Sequence, residues 1–192
     1  MLFNMRNLFF TKVLVVLMFC AVFSVGIKAQ NVFSKGDNNL NLGIGIGSVL
    51  GGTGYSTTTP PLSVSYERGI VDNLFDDKST LGIGAYLGYS ANKSNYGGYG
   101  FKYSYTIIGA RGALHYQLVD KLDTYGGLML GYNVVSNSTY GNWGNTVASA
   151  SGSVLSWSLF IGGRYYFTDN IGAFAELGYG IAVLQLGVSF KF

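Results

Sequence analysis

The sequence has a single histidine, His115, the one side chain whose ordinary titration range suits general acid–base work near neutral pH. Acyl hydrolysis would need a nucleophile or a carboxylate beside it. His115 lies four residues from Arg111 and shares its parity with Gln117, which reads as membership of a polar face and not as a catalytic base. One histidine and one cysteine, Cys20, give no transition-metal constellation, so no metal or cofactor is expected. The glycine runs Gly43–Gly47 and Gly51–Gly54 lack the Lys-Ser/Thr that completes a phosphate-binding loop, and neither opens a helical pattern. Asp72–Asp77, "DNLFDD", reads as a solvated turn. What remains is a set of charges at strand spacing: Glu67, Arg111, Arg164, Glu176 and Lys191 fall on the same side of their segments as the glycines. Charges enclosed together must pair or bear several kcal/mol each of desolvation. The sequence therefore predicts an interior network of Glu67, Arg111, Arg164 and Glu176, with Arg164 and Glu176 level on neighbouring strands across the turn at Asp169–Asn170.

The elements that would position this network follow a leader. Residues 1–29 read as a cleaved signal peptide, with Arg6 and Lys12 ahead of the apolar run Val13–Val25 and cleavage after Ala29. Bulky Phe19 before Cys20 argues against lipidation there. Three of the twelve Lys/Arg lie in the leader, which leaves nine against nine Asp/Glu in residues 30–192. The formal charge of +3 thus says nothing about nucleic acid, and no nucleic-acid partner is expected. With only 11% charged residues, 29 Gly and 2 Pro, the chain is neither disordered nor patterned for helices.

Period-two alternation divides residues 30–192 into eight segments: Leu40–Val49, Leu62–Ile70, Thr80–Ser90, Phe101–Val119, Thr124–Ser136, Val154–Thr168, Ile171–Gly180 and Ala182–Phe192. Each is about as long as a tilted strand crossing a bilayer, ~9–11 residues. Connections after the second, fourth and sixth segments are mostly short and Asp-rich; those after the first, third and fifth are long and rich in Gly, Ser, Thr, Asn and Tyr. The expected fold is all-β: an eight-stranded antiparallel up-and-down transmembrane barrel with short turns at one rim and longer loops at the other.

One parity carries the large apolar residues, among them Leu42, Leu87, Leu130, Leu159 and Leu186; the other is glycine-rich and polar. Bulk fits outside a small closed sheet and glycine fits inside. A soluble barrel would reverse this arrangement. Aromatics mark both rims of the apolar face, with Tyr66, Tyr116, Tyr165, Phe167, Phe190 and Phe192 toward the short turns and Tyr89, Tyr132, Trp157 and Tyr179 toward the long loops. Trp157 and Phe167 are ten residues apart, roughly 23–25 Å along the normal of a tilted strand, the height of an outer-membrane apolar band.

The chain resembles small outer-membrane β-barrel proteins of the OmpX/OmpA-barrel type, most of all over Gly162–Phe192. The resemblance implies that Gln185, Gly187, Phe190 and Phe192 form the terminal-strand signal read by the barrel-assembly machinery, and that both chain ends lie on the periplasmic side. It implies residence in the outer membrane of a Gram-negative envelope, in contact with its lipid, but no single activity. The leading expectation is a non-enzymatic protein with a structural or adhesive task and a lumen closed by polar and charged side chains. A narrow channel for small solutes is the second, and a lipid-modifying enzyme using His115 the third. Tyr55, Tyr96, Tyr99, Tyr140 and Trp143, set among Gly, Ser and Asn in the long loops, suit contact with an extracellular protein or glycan.

Overall fold

The computed structural model describes residues 32–47, 56–95, 97, 100–141 and 149–192. The expected signal peptide and four of the loop aromatics, Tyr55, Tyr96, Tyr99 and Trp143, lie outside them, and Tyr140 closes a strand.

Eight strands, β1 (Asn38–Ile46), β2 (Ser56–Asp72), β3 (Ser79–Lys93), β4 (Gly100–Val119), β5 (Leu122–Tyr140), β6 (Ser149–Tyr166), β7 (Ile171–Gly178) and β8 (Leu184–Lys191), pair in sequence order. β8 returns antiparallel to β1, so the sheet closes on itself with no lateral edge around its girth. β1 and β8 register Leu42 against Val188 and Gly43 against Gly187. The last residue is held there as well: Phe192 and Asn38 exchange both backbone hydrogen bonds at 3.0 Å.

The apolar parity faces outward. Leu42, Leu130, Leu159 and Leu186 are 44%, 55%, 59% and 40% exposed, while Arg164 and Glu176 are 0% and 5% exposed. A belt of large exposed aliphatics on every strand is what hydrocarbon, and not water, stabilises. Tyr132, Trp157 and Tyr179 stand exposed at one rim of the belt, Tyr165, Phe167 and Phe192 at the other.

The strands at the loop end run longer than the alternation predicts. β2, β3, β5 and β6 span 17, 15, 19 and 18 residues, taking in Ser56–Pro61 and much of the connection expected after the fifth segment, while β4 keeps its expected length to within one residue. Ser, Thr and Gly in these extensions disguise strand as loop, because no apolar face is needed beyond the belt. β1, β7 and β8 are only 9, 8 and 8 residues long. β2–β6 thus form a tall wall and β7–β8–β1 a low side. β6 pairs with β7 only from Phe160 onward, so, among the described residues, 149–158 have no partner strand on that side.

Turns at the other end are tight. Lys121 takes the left-handed conformation, φ 64°, in the two-residue turn between β4 and β5. In the β2–β3 turn, Tyr116 Oη donates to Asp76 Oδ2 at 2.9 Å. That hydrogen bond holds the Asp76 carboxyl below the usual carboxylate range. Its stabilising contribution is therefore complete near neutral pH and is lost as pH falls through the lowered value. NMR titration should find the Asp76 midpoint below that of the unfolded chain, and Tyr116→Phe should move it back up.

Candidate functional site

Inward parity places Glu67 on β2, Arg111 and His115 on β4, Asp123 on β5, Arg164 on β6 and Glu176 on β7, all less than a tenth exposed. They form two groups. Toward the loop end, Arg111 Nη2 donates to Glu176 Oε2 at 2.8 Å, and Tyr125 Oη donates to the same oxygen at 3.2 Å. Toward the turn end, Arg164 bridges two carboxylates, donating through Nη2 to Glu67 Oε2 and through Nη1 to Asp123 Oδ2 at 3.1 Å. His115 joins the same two acids: Nε2 is 2.7 Å from Glu67 Oε1, and Nδ1 is 2.9 Å from Asp123 Oδ1. A carboxylate faces each ring nitrogen, so both nitrogens donate and the ring is an imidazolium. Two acids and two cations then balance in the lower group, and one of each in the upper.

The structure corrects the expected geometry in two respects. Arg164 and Glu176 are not level: Arg164 is registered with Phe174 and Glu176 with Gly162, because a four-residue connection, 167–170, shifts the pairing by two. Arg164 turns to Glu67 and Asp123, and Glu176 to Arg111. Two further residues, His115 and Asp123, also stand with the four expected ones. Asp123 reads in sequence as part of an acidic turn, but the tightness of the Asp120–Lys121 turn leaves it inside β5.

The inner face is also more aromatic than its glycines suggest. Tyr86, Tyr125, Phe160, Tyr166 and Phe174 are buried there with Ile107 and Met129. They pack on the cations: the Arg111 guanidinium lies 3.9 Å from the Phe160 ring centre and that of Arg164 lies 4.4 Å from Tyr125. Glycines make room for them, since a Cβ on Gly162 would meet the Tyr125 hydroxyl at 2.7 Å.

Both ends of this interior carry chain that the alternation does not reveal. At the turn end, Phe33 is 3% exposed and stacks 4.3 Å from His115. Its segment is held by Val32 N donating to Gln117 Oε1 at 2.8 Å and by Lys191 Nζ donating to Val32 O at 3.0 Å. At the loop end, Ile181 and Ala182 of the β7–β8 connection are each 1% exposed, with Tyr86 beneath them. Gln185 closes this layer by accepting from Ser63 Oγ at 2.5 Å and Tyr86 Oη at 3.3 Å. The void left between Arg111, Glu176, Gln185 and Ile181 is about 10 Å³, no more than one water needs.

The chemistry open to His115 is limited. An imidazolium clamped by two carboxylates has no lone pair with which to take a proton. Thr80, opposite His115 in the β3–β4 ladder, aims its hydroxyl instead at Asp72 Oδ1, 3.0 Å away. Among the described residues no group of three or more His, Cys, Asp or Glu is arranged to hold a metal ion.

No protein-family model and no curated protein matches the chain by sequence. Solved structures do match by fold. Ail, the attachment invasion locus protein of Yersinia pestis, crystallised with the heparin analogue sucrose octasulfate, superposes with a TM-score of 0.54 at 13% identity, over 82% of this chain and 99% of Ail. This chain has the fold of the small outer-membrane β-barrels. Other barrels of this kind match with lower scores: the N-terminal domain of Pseudomonas aeruginosa OprF (TM-score 0.42, 18% identity, 82% of this chain and 98% of that one) and Neisserial surface protein A (0.41, 15%, 81% and 95%). In this outer-membrane-type barrel, the residues expected to form the assembly signal all lie on β8 or at its end. Gln185 is buried inside, Gly187 faces Gly43 across the closing seam, Phe190 is half-buried on the outer face and Phe192 is exposed at the turn rim.

Proposed function

We propose that the chain is an exported, non-enzymatic outer-membrane protein that uses its barrel as a platform for contact with a protein or glycan outside the cell. Residues 1–29 direct export, Gln185, Gly187, Phe190 and Phe192 are read by the assembly machinery, and the short turns face the periplasm. The observation that carries this reading is the tall β2–β6 wall, which continues past the belt's upper aromatics, Tyr132 and Trp157, with residues 149–158 of β6 unpaired at its side. Such an edge offers a row of backbone donors and acceptors to a partner. The fold shared with Ail, whose crystal holds a heparin analogue, supports including glycans among the partners.

The lumen in this reading does not conduct. The ion pairs, the inward aromatics, Phe33 and Ile181 support that. Planar-bilayer recording should give no unitary conductance above background, and a reproducible conductance would favour a solute channel instead. For the contact role, cells displaying the protein should bind immobilised matrix protein or heparin-coated beads. Replacing residues 135–152 by a two-residue Asn-Gly turn, which joins the registered pair Val134 and Ser153, should remove that binding while heat-modifiable gel migration persists. Undiminished binding by the shortened barrel would overturn the reading.

A further inference from the structure

Charge is distributed unevenly between the two ends of the barrel. No Asp or Glu occurs in 38–66, 79–119, 124–168 or 177–192, so the connections at the loop end lack a carboxylate, and in the strand halves leading to them the one acid, Glu176, is buried and paired with Arg111. Apart from that buried pair, the charged residues there are Lys93 and Lys102. They are not scattered: Lys93 at the end of β3 is registered directly against Lys102 near the start of β4, and both are exposed. Like charges directly opposite in a ladder repel, and the one acid toward this end, Glu176, is buried inside the barrel and bonded to Arg111.

Their neighbours are hydroxyls. The same cross-strand row runs from Ser56 on β2 through Lys93 and Lys102 to Ser138 on β5, and both serines are exposed. The row therefore presents two ammonium groups flanked by groups that can donate. Its direction matters as much as its chemistry. The β3–β4 ladder runs without a register shift, so Lys93 shares the outward face of Tyr89, and Lys102 that of Ile108, which is 57% exposed in the belt. Lys93 lies four residues beyond Tyr89, about 10 Å further along the normal at ~3.3 Å per residue and ~40–45° tilt. That is headgroup level, on the side facing neighbouring lipid and away from the barrel axis.

We infer that Lys93 and Lys102, flanked by Ser56 and Ser138, bind a phosphate group on the headgroup of an outer-leaflet lipid. A free phosphate or a sulfated sugar offers the same oxygens, but the outward aim of the row, beside the apolar belt, selects an anion already anchored in the bilayer. Acyl chains then lie along the exposed aliphatics below while the phosphate sits between the two ammoniums. The inference rests on the outer-membrane reading above.

The test uses the full barrel folded in detergent and incubated with diphosphoryl lipid A, with bound lipid counted by native mass spectrometry. Wild type should retain the lipid, and Lys93→Gln/Lys102→Gln should retain at least tenfold less. Lys78→Gln/Lys121→Gln, at the turn end, should match wild type. Fully dephosphorylated lipid A should not be retained, and excess inorganic pyrophosphate or sucrose octasulfate should not displace the bound lipid. Equal retention by the loop-end double variant would overturn the site. Displacement by either soluble anion would overturn its assignment to lipid. Each variant is read only alongside its heat-modifiable migration. Loss of that migration in wild type would instead sink the membrane barrel itself, so the two failures are distinguishable.

Discussion

Arg164→Met is expected to destabilise the folded barrel by about 3–5 kcal/mol, the cost of leaving buried charges without their partner. Arg164 is wholly buried and, like His115, donates to both Glu67 and Asp123, while its guanidinium covers Tyr125. Methionine keeps most of the length and none of the charge. Two carboxylates are then left facing one imidazolium, all three of them buried. Urea titration in lipid vesicles, followed by tryptophan fluorescence and gel migration, measures the loss. The charge argument makes a further demand that a packing argument does not. Adding Glu67→Gln to Arg164→Met removes the surplus anion and should recover part of the stability, whereas Glu67→Gln alone should destabilise. Arg111→Met/Glu176→Gln removes a balanced pair from the upper group and should cost less than Arg164→Met alone. If the double variant with Glu67→Gln is no more stable than Arg164→Met, electrostatic balance does not hold this interior together.

The sequence shows which side faces lipid because that choice follows strict parity. A strand has only two faces, and moving Leu159 inward would have moved Arg164 outward with it. The pairing of the charges was less legible, for two physical reasons. Register is set by turn length, and reading the connection between β6 and β7 as the pair Asp169–Asn170, where four residues intervene, displaced Arg164 from Glu176 by one full repeat. Residue type also misleads near turns: Asp123 looks like its neighbour Asp120, yet three residues separate solvent from the interior. His115 was legible as an inward polar residue, but its two carboxylates come from β2 and β5, and nothing local announces them. Phe33 could be placed by no alternation at all, since it precedes β1 and is buried through contacts with distant side chains. The long extensions of β2, β5 and β6 failed to register as strand because hydrophobic period two is a signal of burial or lipid, and strands outside the belt need neither.

The interior also explains why one glycine of the last strand cannot be replaced. Gly187→Val is expected to abolish formation of the folded barrel. A Cβ at this position would lie 1.9 Å from the Leu42 carbonyl oxygen, 2.7 Å from Phe174 and 2.8 Å from the Gly43 Cα. The first contact is with backbone, which cannot turn aside as the end of a side chain can. Gly187 and Gly43 face each other across the β8–β1 seam, with the Phe174 ring lying over both, so a single aromatic from β7 fills the space that two side chains would otherwise contest. The seam is where the cylinder closes, and a bulge there leaves β1 and β8 as two open edges. Gly112→Ala provides the contrast, because its added methyl has nothing nearer than the Gly82 carbonyl oxygen at 3.9 Å, and it should fold like wild type. Refolding from urea into detergent, without any assembly machinery, separates the two roles this residue can have. A Gly187→Val chain that stays unfolded in the purified system fails through packing. One that refolds there to full heat-modifiable migration, yet is lost from membranes in cells, would show that Gly187 is needed for recognition of the terminal strand and that the seam tolerates the side chain.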